Sequence, residues 1–239
     1  VLRSEREQME RDDPEEYAHV WLGQCQKAVQ GAIYAAELRK AEGEGRITRV
    51  PYDPSRPVHT AWDLGWGDLT TCWMFQSAPF EWRFIDYIEG NNRDITSYIR
   101  DLQSKPYVWG TDSLPWGAAS VGKLAGGKSI EMIMRGLGRK VQVVPQNAVH
   151  VGIDAVRRIF PLCWLDVEKC ADGIRAMRHY RYGEIKALSQ GSDKTRTREP
   201  LHDWASHACD GARTMAMGVA AVTSGKPAPV QVQRPAPPR

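Results

Sequence analysis

The segments VHTAWDL (residues 58–64), TTCWMFQ (70–76) and WRFIDYI (82–88) decide the fold of this 239-residue chain. All three are rich in β-branched and aromatic residues, which favour strands. The third largely alternates apolar with polar residues, as a half-buried strand does. The links between them are short, and short links join antiparallel neighbours. The sequence therefore predicts an antiparallel meander of three strands.

Helices and strands alternate after this meander. The pattern predicts helices at residues 94–103, 129–137, 149–160, 167–179 and 203–222, and strands at 108–112 and 141–144. This element order resembles that of a ribonuclease-H-like domain. We therefore predict an α/β fold with a central mixed five-stranded sheet flanked by helices, in which the first and fourth strands are neighbours.

Three regions of the chain differ in composition. Residues 1–50 contain a favourable helix start at 13–16 and little that would fill a sheet core, so we expect a helical connector from an N-terminal domain outside this sequence. Residues 51–223 form the predicted ribonuclease-H-like domain. Residues 224–239 are Pro-rich without apolar periodicity, which is typical of a disordered tail.

Composition limits the kind of protein. The net charge of +3 and the pI of about 8.6 are compatible with a nucleic-acid partner but do not require one. The five cysteines include no C-x-x-C pair, which favours reduced core thiols in a cytosolic protein over a zinc site or a disulfide framework. No apolar run reaches membrane-spanning length, so we expect no membrane partner.

Three aspartates far apart in the chain carry the predicted chemistry. Asp63 and Asp112 end the predicted first and fourth strands, and Asp210 lies in the middle of the apolar last helix. Carboxylates beside a core are costly unless a charge compensates them. If the three converge, their oxygens suit hard divalent cations such as Mg²⁺. Two such cations can cleave a phosphodiester bond.

Each acid also has a structural interpretation. Asp63 could be an ordinary turn aspartate, because a glycine follows shortly after it in the chain. Asp68 fits the role of an additional metal ligand and that of a hairpin-turn residue equally well. Asp112 could cap the turn that follows it, and Asp210 could pair with Arg213.

Two further residues share roughly one face of the last helix with Asp210. Asp203 is typical of a helix N-cap. His207 is typical of a helix-face histidine that hydrogen-bonds a neighbour. Either residue could also hydrogen-bond to a metal ligand and orient it.

A glycine-rich loop, GKLAGGKS at residues 122–129, matches the letters of the phosphate-binding P-loop. No strand precedes its first glycine, so we do not interpret it as one. Lys123 and Lys128 in this loop suit DNA phosphates and an ordinary solvated loop equally well.

Residues 182–188 and 194–198 flank Gly191 in a pattern typical of a hairpin. We expect the basic side chains of this region, Arg181, Lys194 and Arg196, to contact the DNA backbone without reading sequence. Because the second strand of this hairpin is basic, we hypothesise that the hairpin gates access of DNA.

From about Asp13 to Val219, the chain resembles the C-terminal nuclease part of the large terminase subunit of tailed bacteriophages, the DNA-packaging motor. The resemblance rests on DPEEYAHVWLG at 13–23, TAWDLG at 60–65 with Asp68 and Thr70, GKS at 127–129 and, most specifically, HDWASHACD at 202–210. One departure is clear. Related proteins often carry Leu-Pro-His-Asp-Ala at the second acidic site, whereas this chain has LPWGA at 114–118.

The resemblance implies a fold, an activity and partners. The fold would be ribonuclease-H-like, and the catalytic acids would fall on Asp63, Asp112 and Asp210, with Asp68 as an accessory ligand of two Mg²⁺ or Mn²⁺ ions. The expected activity is metal-dependent endonuclease cutting of concatemeric double-stranded DNA. Expected partners are DNA, the portal protein, the small terminase subunit and the chain's own N-terminal ATPase domain. The expected location is the host cytoplasm during assembly, not the mature virion.

Two other functions fit the sequence. Residues 63–70, DLGWGDLT, resemble the phosphate loop of actin-like and sugar kinases, although no convincing second loop follows. The other alternative is a non-catalytic docking or DNA-binding module of the packaging machine, in which the acids are structural.

Overall fold

A seven-stranded mixed sheet with helices on both faces forms the protein, as seen in a computed structural model that describes residues 31–65, 68–120, 127–183 and 199–223. The strands are β1 (Ile47–Thr48), β2 (Val58–Asp63), β3 (Thr70–Ala78), β4 (Glu81–Gly90), β5 (Trp109–Leu114), β6 (Lys140–Val143) and β7 (Cys163–Asp166). The helices are α1 (Ala35–Gly43), α2 (Ile95–Gln103), α3 (Ile130–Gly136), α4 (Val149–Ile159), α5 (Ala171–His179) and α6 (Trp204–Thr223).

The meander predicted from the sequence is the centre of the sheet. The strand order is β1-β7-β4-β3-β2-β5-β6, with β2, β3 and β4 antiparallel and β2 parallel to β5. The first and fourth predicted strands are therefore neighbours, and the predicted fold class is confirmed.

The predicted strand count of five was wrong, because two short strands on one side of the sheet were missed: β7, which pairs with β4, and the edge strand β1. β7 has only four residues, CWLD, and follows a 3-10 turn containing Pro161, so it shows no usable alternation. The helix predicted from residue 167 begins at Ala171 instead. β1 has two residues and forms only by pairing with β7, which makes it a product of tertiary structure.

The described part of the predicted connector belongs to the sheet domain. Tyr34 and Leu38 are fully buried in the core. The guanidinium of Arg46 donates to the carbonyls of Phe160 (2.9 Å) and Cys163 (2.7 Å), which ties this segment to the start of β7. Residues 31–50 therefore pack against the sheet, and the domain boundary at residue 51 stays a prediction. The predictions for residues 1–30 and 224–239 lie outside the described residues.

The sheet separates two cores. One lies under α4, α5 and α6 and contains Trp73, and the other lies under α2 and α3 and contains Trp62. Alternation along β2 sends Trp62 to the second core and Ala61 to the first. The face to which a strand residue points therefore decides which helices it can meet.

Helix α6 packs against β2 and β3 through small residues. Ala205, Ala208 and Ala212 are buried on this face, and a Cβ on Gly211 would lie 3.1 Å from Thr71 and Trp73. Within the described residues, α6 and the other helices are too short or too polar to cross a membrane.

The predicted hairpin at 182–198 is described only at its base. Gly183 N–H donates to the Glu199 carbonyl (3.0 Å), and Leu201 N–H donates to the Arg181 carbonyl (2.9 Å), so the two flanks pair antiparallel. Residues 184–198, which include Lys194 and Arg196, lie outside the described residues, as does Lys123.

We predict that Gly173→Ala destabilises the fold by roughly 1–3 kcal/mol through overpacking. A Cβ at Gly173 would lie 2.3 Å from the ring of Trp73, which cannot retreat because it is fully buried and its Nε1–H donates to the Ala208 carbonyl (2.7 Å). The matched control is Gly136→Ala, also in a helix but with open space around it. It should change stability by no more than about 1 kcal/mol. Urea denaturation measures both, and equal effects would contradict the packing argument.

Candidate active site

Asp63 is the last residue of β2, and a side chain of the helix packed over the sheet holds its carboxylate. The Nδ1–H of His207 on α6 donates to its Oδ2 at 3.0 Å. The chain then turns sharply at Gly65, where a Cβ would lie 2.8 Å from the backbone of Asp68 and Leu69. This close approach requires glycine and returns Asp68 toward His207.

Asp210 lies about one turn beyond His207 on α6 and faces the same cleft as Asp63. The Nη2 of Arg213 donates to its Oδ1 at 2.6 Å, so the pairing with Arg213 expected as a structural alternative is present. Burial raises the pKa of Asp210 to about 6, against the pull of Arg213, and the nearby charge of Asp63 raises it further.

Asp63, Asp68, His207 and Asp210 form one electrostatic cluster. The hydrogen bond to Asp63 raises the pKa of His207, and the charges of Asp63, Asp210 and Asp68 act in the same direction. Asp68 is exposed, and it belongs to this cluster because its negative charge acts on His207. Two of the three predicted catalytic acids therefore meet, with Asp68 beside them.

The acids open into a cleft of about 250 Å³. Its walls come from the end of β5, the β6–α4 segment and α6. Besides Asp63 and Asp210, the lining residues are Pro115, Trp116, Val144, Pro145, Gln146, Asn147, Ala148, Val149, Gly152, Arg213, Thr214 and Met217.

Asp112 is not among the residues that line this cleft. It pairs in register with Thr60, so both side chains point to the face of α2 and α3, whereas Asp63 points to the face of α6. There its carboxylate is 0% exposed and accepts from Thr60 and, bidentately, from Arg139 (2.8 and 2.6 Å). The guanidinium of Arg139 also lies over the ring of Trp109. Asp112 is therefore half of a buried structural ion pair.

Two residues that directly follow β5, Pro115 and Trp116, line the cleft. These residues belong to LPWGA, the string that departs from the Leu-Pro-His-Asp-Ala of related proteins. Gly117 therefore stands where the resemblance leads one to expect the second acid, and Trp116 stands where related proteins have His. The sequence contained this departure, and the assignment of the family's acid to Asp112 stays a prediction.

The remaining predicted site residues lie at the edges. Asp203 caps α6 by accepting from Ala205 N–H (3.0 Å) and pairs with Arg181 (3.4 Å), so it acts on the helix end and touches neither acid. Lys128 is exposed just before α3, whose N-cap is Ser129. Gln146 and Asn147 were missed because a loop amide carries no periodic or motif signal.

The carboxylate oxygens of Asp63 and Asp210 are suited to a cation because each side chain keeps one oxygen available. Oδ2 of Asp63 and Oδ1 of Asp210 are anchored, while the other oxygen of each carboxylate accepts no hydrogen bond within the described residues. Two half-buried carboxylates with free oxygens, one with a raised pKa, suit a divalent cation that would relieve their repulsion. In the same part of the chain, no group of three or more His, Cys, Asp or Glu side chains is arranged to hold a metal ion.

Fold and site together define a ribonuclease-H-like α/β domain with an acidic pair at the end of its central strand. Solved structures similar to it are large terminases. One large terminase, from a thermophilic bacteriophage, superposes with a TM-score of 0.62 at 17% identity, over 90% of this chain and 52% of that one. This chain therefore spans about half the length of that protein.

Two isolated nuclease structures are also similar. The P22 large terminase nuclease domain gives a TM-score of 0.53 at 12% identity, covering 74% of this chain and 89% of its own. The large terminase nuclease from thermophilic phage G20c with bound magnesium gives 0.51 at 11%, covering 78% and 98%. No protein-family model and no curated protein sequence matches the chain. The expected resemblance to large terminase nuclease domains is confirmed at the level of the fold.

We predict that Arg139→Met costs about 3–5 kcal/mol of stability, because it leaves the charge of Asp112 buried without a partner. The control is Arg93→Met, which removes an exposed pair with Asp101 and should cost no more than about 1 kcal/mol. Urea denaturation compares the two. Loss of divalent-cation binding without loss of stability in Arg139→Met would contradict the structural role.

Proposed function

We propose that this chain is the metal-dependent endonuclease module of a viral DNA-packaging motor. The observation that carries the proposal is the meeting of Asp63 and Asp210, from β2 and α6, at one cleft in a fold shared with terminase nuclease domains. Nothing else in the described cleft supplies two carboxylate oxygens to one ligand.

The chain's own side chains set up this pair. His207 orients Asp63 through one oxygen, and Arg213 orients Asp210 through one oxygen, so both carboxylates present their second oxygen in a fixed direction. His207 and Arg213 also offset the charge of the acids, which keeps the pair stable before a ligand arrives.

Asp63 and Asp210 would hold the divalent ion, with Asp68 as an accessory acid. When bound, Mg²⁺ or Mn²⁺ supplies activation of the attacking water and stabilisation of the leaving oxygen. Mg²⁺ commonly uses one or two carboxylates together with waters and substrate phosphates. Because Asp112 is buried with Arg139 and does not line the cleft, the second ion of a two-ion reaction would depend on Asp68 and on phosphate oxygens.

The substrate proposed is concatemeric double-stranded DNA, held without sequence reading by basic side chains such as Lys128 and Arg181. The portal protein, the small terminase subunit and an N-terminal ATPase domain are the proposed partners. The proposed setting is the host cytoplasm during assembly. These assignments follow from the resemblance to large terminases, of which this chain would be the nuclease part.

A non-catalytic docking or DNA-binding module is the second candidate. It is favoured by Gly117 after β5, at the position where related proteins carry a further acid, and by the pairing of both cleft acids with cationic side chains. This candidate predicts DNA binding without cleavage.

Incubation with supercoiled plasmid and Mg²⁺ or Mn²⁺ separates the two candidates. We expect metal-dependent nicking and linearisation that EDTA abolishes and that Asp63→Asn and Asp210→Asn each reduce at least about 100-fold, because each removes a ligand oxygen. The matched control is Asp154→Asn, which changes an exposed helix carboxylate and should cut like the wild type. An intact plasmid under both metals, with DNA binding retained, would favour the docking module.

Binding of Mn²⁺ should weaken as the pH falls below about 6. Protons compete with the cation for Asp210, whose pKa is about 6. Protonated His207 competes with the cation for Asp63, which also weakens binding at low pH. Calorimetric titration at pH 5 and pH 7 measures this, and Asp210→Asn should bind weakly at both. Equal wild-type affinity at the two pH values would contradict the assignment of Asp210 as a ligand.

A further inference from the structure

Trp116 is the unusual member of the cleft. Its side chain is 51% exposed, whereas Trp62 and Trp73 are fully buried. It begins a short 3-10 turn, Trp116–Ala119, which the Ala118 N–H fixes by donating to the Pro115 carbonyl (2.9 Å). Ala118 is buried, so the turn is anchored while the indole remains available at the cleft. A large exposed aromatic surface held by anchored backbone is suited to stacking.

Exposed amides line the same cleft. Gln146 and Asn147 lie between β6 and α4, and the Nδ2 of Asn147 donates to the Pro145 carbonyl (2.6 Å), which braces this segment. Within the described residues, these amides make no other side-chain hydrogen bond, so their remaining donors and acceptors can meet a polar edge. Asn and Gln side chains are the common partners of nucleobase edges.

The size of the cleft restricts what can enter. Its volume of about 250 Å³ lies below the roughly 300–1,000 Å³ of pockets for drug-sized ligands. A paired base inside a duplex has both faces covered, so it cannot stack on a side chain without leaving the helix. A single unpaired base satisfies both the volume and the aromatic surface.

We propose that the cleft binds one unpaired nucleotide of the DNA, with its base stacked on Trp116, its edge at Gln146 and Asn147, and its backbone toward Asp63 and Asp210. This inference rests on the proposed nuclease function and specifies its substrate. The chain then prefers frayed, mismatched or single-stranded DNA to an intact duplex, because extrusion of a base costs least there.

Binding tests the inference without cleavage. Single-stranded oligonucleotides containing 2-aminopurine are titrated into the protein in EDTA, and stacking on an indole quenches the probe. We expect Trp116→Ala to weaken binding about ten-fold and to lose the quenching, with much of both retained in Trp116→Phe. Asn147→Ala should weaken binding less and keep the quenching.

The matched control is Phe80→Ala. Phe80 is 89% exposed in the β3–β4 turn, at the end of β3 opposite to Thr71, which pairs with Asp63. At about 3.3 Å per residue the two ends of β3 are more than about 20 Å apart. Equal behaviour of Trp116→Ala and Phe80→Ala, with both variants folded by melting temperature, would overturn the proposal.

Cleavage separates this inference from the function on which it rests. With Mn²⁺, the wild type should cut a duplex carrying a mismatch faster than a fully paired duplex, and Trp116→Ala should lose that preference. Cutting without any preference overturns the nucleotide site and leaves the nuclease intact. No cutting by the wild type, together with binding that depends on Trp116, overturns the nuclease and leaves a site for unpaired DNA.

Discussion

The docking of α6 onto β3 is the constraint on which the site depends. Trp73 Nε1–H donates to the Ala208 carbonyl and Thr71 Oγ1 donates to the His207 carbonyl, so two sheet side chains hold consecutive carbonyls of one helix. Both bonds are buried, where an unpaired partner is costly. They fix the height and rotation of α6 over the sheet, and Gly211 permits the close approach. The distance between Asp63 and Asp210 is a consequence of this contact.

Charge balance makes the acidic pair tolerable. Burial favours protonation of Asp210, and the cationic side chains of Arg213 and His207 favour its ionised form. Each carboxylate is thus anchored through one oxygen and left open through the other. This state costs less than two unpaired buried charges and leaves each carboxylate one free oxygen for a cation. Stability and ligand binding are therefore served by the same two hydrogen bonds.

Asp112 and Asp63 show how one strand register separates structure from chemistry. They lie on neighbouring parallel strands, Asp63 at the end of β2 and Asp112 two residues before the end of β5, yet they face opposite layers of the sheet. Asp112 meets Arg139 in a dry layer and becomes part of the core. The segment that follows β5 contributes Pro115 and Trp116 to the cleft. The site therefore combines two acids with an aromatic surface, which distinguishes it from a triad of carboxylates.

The sequence by itself determined the meander, the strand that neighbours β2, the cap at Asp203 and the two acids that line one cleft. Each of these depends on local preference, alternation or connection length, which are legible along the chain. Only the tertiary structure decided the short strands β1 and β7, the packing of residues 31–50 against the sheet and the face of Asp112. Those features depend on pairing between distant segments, and a shift of one residue in a strand reverses the direction of every side chain.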